Sequence, residues 1–273
     1  MERIRRGFRL LGASWEVLKA DRELMVLPLV SFAIILVVTA SVAGATWASG
    51  GLGREREALR AVDYVALGVF YFLSYFVSIF FNAAVVGAAT IRLTGGDPSI
   101  GDGLRLARSR VGKIAGWAAI SATVGLILRA IEERAGFIGD LIVGLIGVAW
   151  SLMTYFVVPV LLYEPVGTIE GIKRSASIFR QRWGEQMTGN VSIGLAMFLL
   201  ALPIALLAGA LTAVSPPVGI VVGVVGLGAL IAVGTALSGV FQAALYRYAT
   251  SGQAAGAFST SDLEASFRPK KRR

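Results

Sequence analysis

Apolar residues fall in long blocks along this chain rather than alternating with polar ones. The blocks occupy about 24–48, 64–91, 115–130, 141–163, 191–214 and 218–248. A helix needs ~20 predominantly apolar residues to cross a hydrocarbon core of ~30 Å, and most of the blocks reach that length. They predict six transmembrane helices in an all-α polytopic membrane bundle. Turn-forming or polar stretches separate them: "GGLGREREALRA" from Gly50, "TGGDPS" from Thr94, "EERAGFIGD" from Glu132 and "SPP" from Ser215. The first block follows a basic stretch and contains Ala43-x-Ala45, as a secretory signal does. It is longer than the ~7–15 apolar residues of a signal core, so it predicts a retained helix.

Between the blocks lie three segments of a different kind. Around Gly7, Gly103 and Gly171 the residue before is charged (Arg6, Asp102, Glu170), the next is apolar (Phe8, Leu104, Ile172) and the one after is basic (Arg9, Arg105, Lys173). Leu11, Trp15 and Leu18 in the first copy match Ala107, Val111 and Ile114 in the second, and these sets fall on one face of a helix. The third copy keeps Phe179 in register and then places Trp183 one residue late. Each copy precedes two apolar blocks. The pattern predicts three amphipathic interfacial helices, each leading into a hairpin of two spans. The chain then reads as one membrane domain, 1–250, of repeat-like units 1–93, 94–163 and 164–250, with a polar basic tail at 251–273.

Charge orients the bundle. Of the 26 Lys and Arg residues, 21 fall on the side holding the N-terminus, the 92–113 and 164–190 segments and the C-terminus from Arg247 on; five fall opposite, at Arg54, Arg56, Arg60, Arg129 and Arg134. The positive-inside rule then predicts both termini and all three interfacial helices in the cytoplasm. The mean hydropathy of +0.73 and a charged fraction of 16% agree with a membrane protein. Soluble domains carry roughly 25% charged residues. The net charge of +9 is therefore read as attraction to anionic lipid, not to nucleic acid. Arg9, Arg105, Arg108, Lys113, Lys173 and Arg174 are the expected headgroup contacts. Arg110 falls near the apolar stripe and is expected to snorkel.

The segments "SIGDGLRLARSRVGKIAGWAAISATVG" and "FVVPVLLYEPVGTIEGIKRSASIFRQRWG" resemble a prokaryotic family of six-span membrane proteins without an assigned function. More distantly, the chain is similar to the membrane domain joined to some glycerophosphodiester phosphodiesterases. The "PVLLYE" turn and the "EGIKRS" helix start carry the resemblance, which spans nearly the whole chain. It implies the fold and topology, and a home in a prokaryotic cytoplasmic membrane. It implies no catalytic residues.

The residues argue against chemistry. There is no Cys and no His, so disulfides, zinc sites built on the commonest ligands, and Cys- or His-dependent catalysis are excluded. No ionisable residue falls near the middle of a span, which disfavours proton-driven transport. The expectation is a protein with no enzymatic activity, cofactor or metal. Asn82 and Gln242 are candidates for a polar path, with Ser121, Thr123, Ser151, Thr154 and Thr235 as lesser ones. For each the plainer expectation is an interhelical hydrogen bond. Gly219 and Gly223, Ala201/Ala205/Gly209, and Ala83/Gly87 make small-residue faces for close helix packing, within one chain or between chains of a homo-oligomer. The glycines of 218–248 also suggest a bent helix. Glu164 is placed to pair with Lys173 or Arg174, and Arg129 with Glu132 or Glu133. The expected function is to bind, organise or move lipids, anionic ones above all. A passive oligomeric pore and a scaffold subunit of a membrane complex are the alternatives.

Overall fold

A computed structural model of the chain describes residues 2–48, 61–134, 136–182, 188–253 and 258. These residues form helices and turns, with no strand among them. In chain order the helices are α1 (Glu2–Ala20), α2 (Glu23–Ala48), α3 (Ala61–Leu93), α4 (Ile100–Ser109), α5 (Val111–Glu132), α6 (Phe137–Met153), α7 (Val157–Tyr163), α8 (Thr168–Arg182), α9 (Thr188–Val214) and α10 (Pro216–Ser251). Six stretches are long and apolar enough to span a bilayer: Glu23–Thr46, Tyr64–Leu93, Val111–Glu132, Gly139–Tyr163, Ile193–Val214 and Pro216–Ser251. Large apolar side chains at Val37, Val65, Leu141, Leu206 and Ile231 are more than half exposed. In water such a surface promotes association; in a bilayer it meets lipid chains.

A polar-faced helix precedes two apolar helices three times over. The α1, α4 and α8 helices lie at one end of the bundle, with α3, α7 and the end of α10 central among them. Residues 83–89, 156–162 and 239–246 are buried at every position, so neighbours surround each of these three segments. At the other end of the bundle residues 40–46 of α2 and 64–67 of α3 are exposed at every position.

Small residues permit the close central packing. Gly103 of α4 sits on α3, and a Cβ there would lie 2.5 Å from the Ala84 carbonyl oxygen. On the adjoining turn of α3, a Cβ on Gly87 would meet Leu106 at 2.9 Å. Ser99 caps α4: its hydroxyl accepts from the Asp102 amide at 3.2 Å, and Asp102 Oδ2 accepts from the Ser99 amide at 3.0 Å. Glu23 Oε2 accepts from the Ile100 amide at 3.1 Å, tying the start of α2 to the same turn.

Three expectations need correction. The block 141–163 is not one helix, because α6 stops at Met153 and α7 restarts at Val157. Pro159 explains the break: it has no N–H for the Tyr155 carbonyl, and its ring crowds that carbonyl. The second surface helix is shorter than its repeat pattern implies. It ends at Ser109, and Arg110, at φ −116° and ψ 14°, turns the chain into α5. Val111, Lys113 and Ile114 therefore belong to the membrane helix, which starts earlier than 115. The face of α9 that packs on α10 carries Ile204, Ala208 and Thr212, whereas Ala205 and Gly209 are exposed. Arg54, Arg56, Arg60, Trp183 and most of the 251–273 tail lie outside the described residues. Phe258 of the tail is buried, with its ring centroid 6.4 Å from that of Phe241.

Overpacking the α3–α4 contact tests this fold. Gly103→Leu is expected to cost about 1–3 kcal/mol, read as a lower melting temperature in detergent. Gly112→Ala is the control, because a Cβ there meets nothing within 4 Å. It is expected to hold or raise the melting temperature, since alanine favours a helix by about 1 kcal/mol over glycine.

Candidate functional site

The break between α6 and α7 leaves backbone groups that a bilayer cannot satisfy. Two side chains from other helices meet them. Ser175 of α8 donates to the Met153 carbonyl at 2.7 Å and accepts from the Phe156 amide at 3.0 Å. Gln242 of α10 donates through Nε2 to the Tyr155 carbonyl, the one that Pro159 leaves without its helical partner. The carboxamide nitrogen of Gln242, a candidate for the polar path, is thus engaged by the break. Asn82 is half-buried on α3 and faces α10, with Nδ2 3.8 Å from where a Cβ on Gly239 would stand. "FFNAA", "YFVVP" and "VFQAA" place Asn82, Val157 and Gln242 at one repeat position. That alignment, with the proline inside an apolar block, is the signal that would have pointed to the break. Ser175 was not anticipated.

Three of the lesser polar candidates act locally. Thr123, Thr154 and Thr235 each donate to the carbonyl four residues earlier in the chain rather than across to a neighbouring helix. Gly219 and Gly223 pack against α9 of the same chain, at Thr212 and Ala208. The 36-residue α10 is a single uninterrupted helix.

Glu164, at the end of α7, gathers the surface elements. Its carboxylate accepts from Arg174 Nε of α8 at 3.0 Å and from the Tyr246 hydroxyl of α10 at 3.0 Å. Its carbonyl accepts from Lys113 Nζ of α5 at 3.4 Å. The pairing expected of Glu164 is therefore with Arg174. On the far face Arg129 donates to Glu133 at 3.1 Å and to the Tyr71 hydroxyl at 2.7 Å.

The expected headgroup residues divide by surroundings. Arg9, Arg105, Arg108, Lys173 and Arg174 are exposed on α1, α4 and α8. Arg105 reaches Asp102 at 3.0 Å yet leaves 80% of its side chain exposed. Lys113 is half-buried at the start of α5, away from the surface helix assigned to it.

An apolar groove of about 580 Å³ runs beneath α1. Gly12 and Trp15 roof it, Met197 and Leu200 of α9 form one wall, and Ala229 and Leu230 of α10 form the other. At its edge the Lys19 ammonium stands 5.7 Å from the Trp15 ring centroid.

Residues 61–256 match a family of unknown function, DUF6159. The chain belongs to this family. The match takes in every membrane helix except α2 and includes the break, Glu164 and its partners Lys113, Arg174 and Tyr246. No curated protein matches the chain.

One buried carboxylate ties the start of the first hairpin to its end. Asp21 lies in the α1–α2 turn, 7% exposed, with Arg92 Nε 3.6 Å from its Oδ2. Burial pushes its pKa above the ordinary carboxylate value; Arg92 opposes that shift, while Asp97 and Glu23 add to it.

Gln242→Leu leaves the Tyr155 carbonyl unpaired and should cost about 1–3 kcal/mol. In a Pro159→Ala background residue 159 regains an N–H for that carbonyl, so the same substitution should cost clearly less. A double-mutant cycle on melting temperatures reads the difference. For Asp21, the folded chain holds its proton to higher pH than the unfolded chain does. Its stabilising contribution is full below the ordinary carboxylate value and is lost as pH rises through the raised one. Asp21→Asn should flatten that part of the melting temperature–pH curve.

Proposed function

We propose that this protein is a non-enzymatic membrane protein that binds and organises anionic lipid through its three basic surface helices. The observation that carries this reading is the placement of exposed cations at one end of the bundle. Arg9, Arg105, Arg108, Lys173, Arg174 and Arg180 all stand on α1, α4 and α8. Each cation near an anionic surface contributes about 1 kcal/mol of attraction. The reading places the protein in a prokaryotic cytoplasmic membrane, with both termini and the surface helices on the cytoplasmic side, as the positive-inside rule requires. The expected likeness to the membrane domain joined to glycerophosphodiester phosphodiesterases belongs to the same proposal. The motifs that carry it hold Pro159, Glu164, Arg174 and Ser175, which are framework residues rather than catalytic ones. A passive pore is less well supported, since Gln242 is bonded to the Tyr155 carbonyl.

Native mass spectrometry of protein from mixed phosphatidylglycerol–phosphatidylethanolamine nanodiscs tests the reading. The wild-type chain should retain phosphatidylglycerol in excess of its share of the bilayer. Arg108→Gln, Lys173→Gln and Arg180→Gln together should remove the excess, at about fivefold in headgroup affinity per cation. Equal retention of the two lipids by the wild-type chain, or an unchanged excess in the triple variant, defeats the proposal.

A further inference from the structure

We infer that the groove between α1, α9 and α10 holds one acyl chain of an anionic phospholipid, with the headgroup beside Lys19. This rests on the lipid-binding reading and gives it a single site. The groove's lining side chains are all apolar, so it offers nothing to orient a polar solute. Its volume of about 580 Å³ falls within the ~300–1,000 Å³ of sites that enclose small ligands. Depth narrows the choice. On α9 the groove runs from Ala196 to Ile204, from near the start to the middle of the apolar stretch Ile193–Val214. It therefore covers about the thickness of one leaflet, the leaflet on the side of the surface helices.

The roof supplies the complementary charge. Leu11, Trp15 and Lys19 follow one another at four-residue spacing, along one face of α1. Leu11 and Trp15 line the groove, and Lys19 ends the stripe over the Trp15 ring. An indole and an ammonium at the edge of an apolar slot match a lipid at the level where its chain meets its phosphate. Trp favours that depth, and a lysine there reaches toward the interface.

Gly12 provides a mild test. It lines the groove, and a Cβ on it meets nothing within 4 Å, so a side chain can enter the groove without displacing the fold. Gly12→Leu should fold at least as well as the wild type, because leucine is the better helix former. Ala229→Phe fills the slot from the other wall. The experiment exchanges each protein from phosphatidylglycerol–phosphatidylethanolamine liposomes into detergent and counts retained lipids by native mass spectrometry. A phosphatidylglycerol carrying a diazirine in one acyl chain then maps the contacts. The wild type should retain one tightly held phosphatidylglycerol per chain and cross-link at Met197, Leu200 and Leu230 well above Leu145 of α6. Both groove variants should lose that lipid by tenfold or more, while Leu145→Phe, on the exposed face of α6, keeps it. Undiminished retention in Gly12→Leu, or cross-links spread evenly over α6 and α9, overturns the inference. So does a groove variant that changes the number of associated chains instead of the lipid count, which would make a second copy the occupant. One groove-held lipid without a general excess of phosphatidylglycerol would uphold the site and defeat the broader reading.

Discussion

A backbone carbonyl or amide inside a bilayer must find its partner within the protein. In this chain that constraint falls on the turn between Met153 and Val157. Pro159 stops α6 from running on as a regular helix, and the groups it frees are met by Ser175 and Gln242. Those two residues belong to a surface helix and to the last membrane helix. The break therefore specifies where α8 and α10 must lie, and not merely that α7 bends. Glu164 repeats the arrangement one element later, by drawing Arg174 and Tyr246 to the end of α7. The "PVLLYE" and "EGIKRS" motifs contain Pro159, Glu164, Arg174 and Ser175. The physical content of both motifs is this junction.

The junction also explains the uneven packing. Small side chains on α3 and α10, and Gly103 on α4, let the three central segments approach closely near the surface helices. Transmembrane helices associate through such contacts because lipid tails already satisfy their apolar side chains. Away from the surface helices α9 and α10 stay packed through Gly219 and Gly223, whereas the apolar side chains of α2 and α3 are exposed on several sides. An amphipathic helix lying across a hairpin then leaves a slot beneath itself wherever the residues facing it are small. Gly12 on α1 and Ala229 on α10 are in that position, and the slot they leave is the groove that the inferred acyl chain fills.

The residue pattern alone was sufficient for the six spans and the helical class. Those properties depend on local apolarity and on glycine, proline and charge at the boundaries, which neighbouring residues express whatever their partners are. The partner of Glu164 was also within reach, since Lys173 and Arg174 lie only nine and ten residues further along the chain. Arg129 and Glu133 were as easy to anticipate, because residues four apart share a helix face.

The tertiary structure decided what depends on residues distant in sequence. It placed Gln242 against Tyr155 and Ser175 against Met153. It moved Lys113 from the surface helix to the membrane helix, because the stripe of α4 is spent on α3 by Ala107 and the chain turns at Arg110. It chose Ile204, Ala208 and Thr212 over Ala205 and Gly209 as the packed face of α9. A small-residue stripe says that a helix can be approached closely; only the arrangement of its neighbours says from which side. The groove under α1 belongs to the same class of fact. Its residues come from three helices, and no one segment carries the pattern of the space between them.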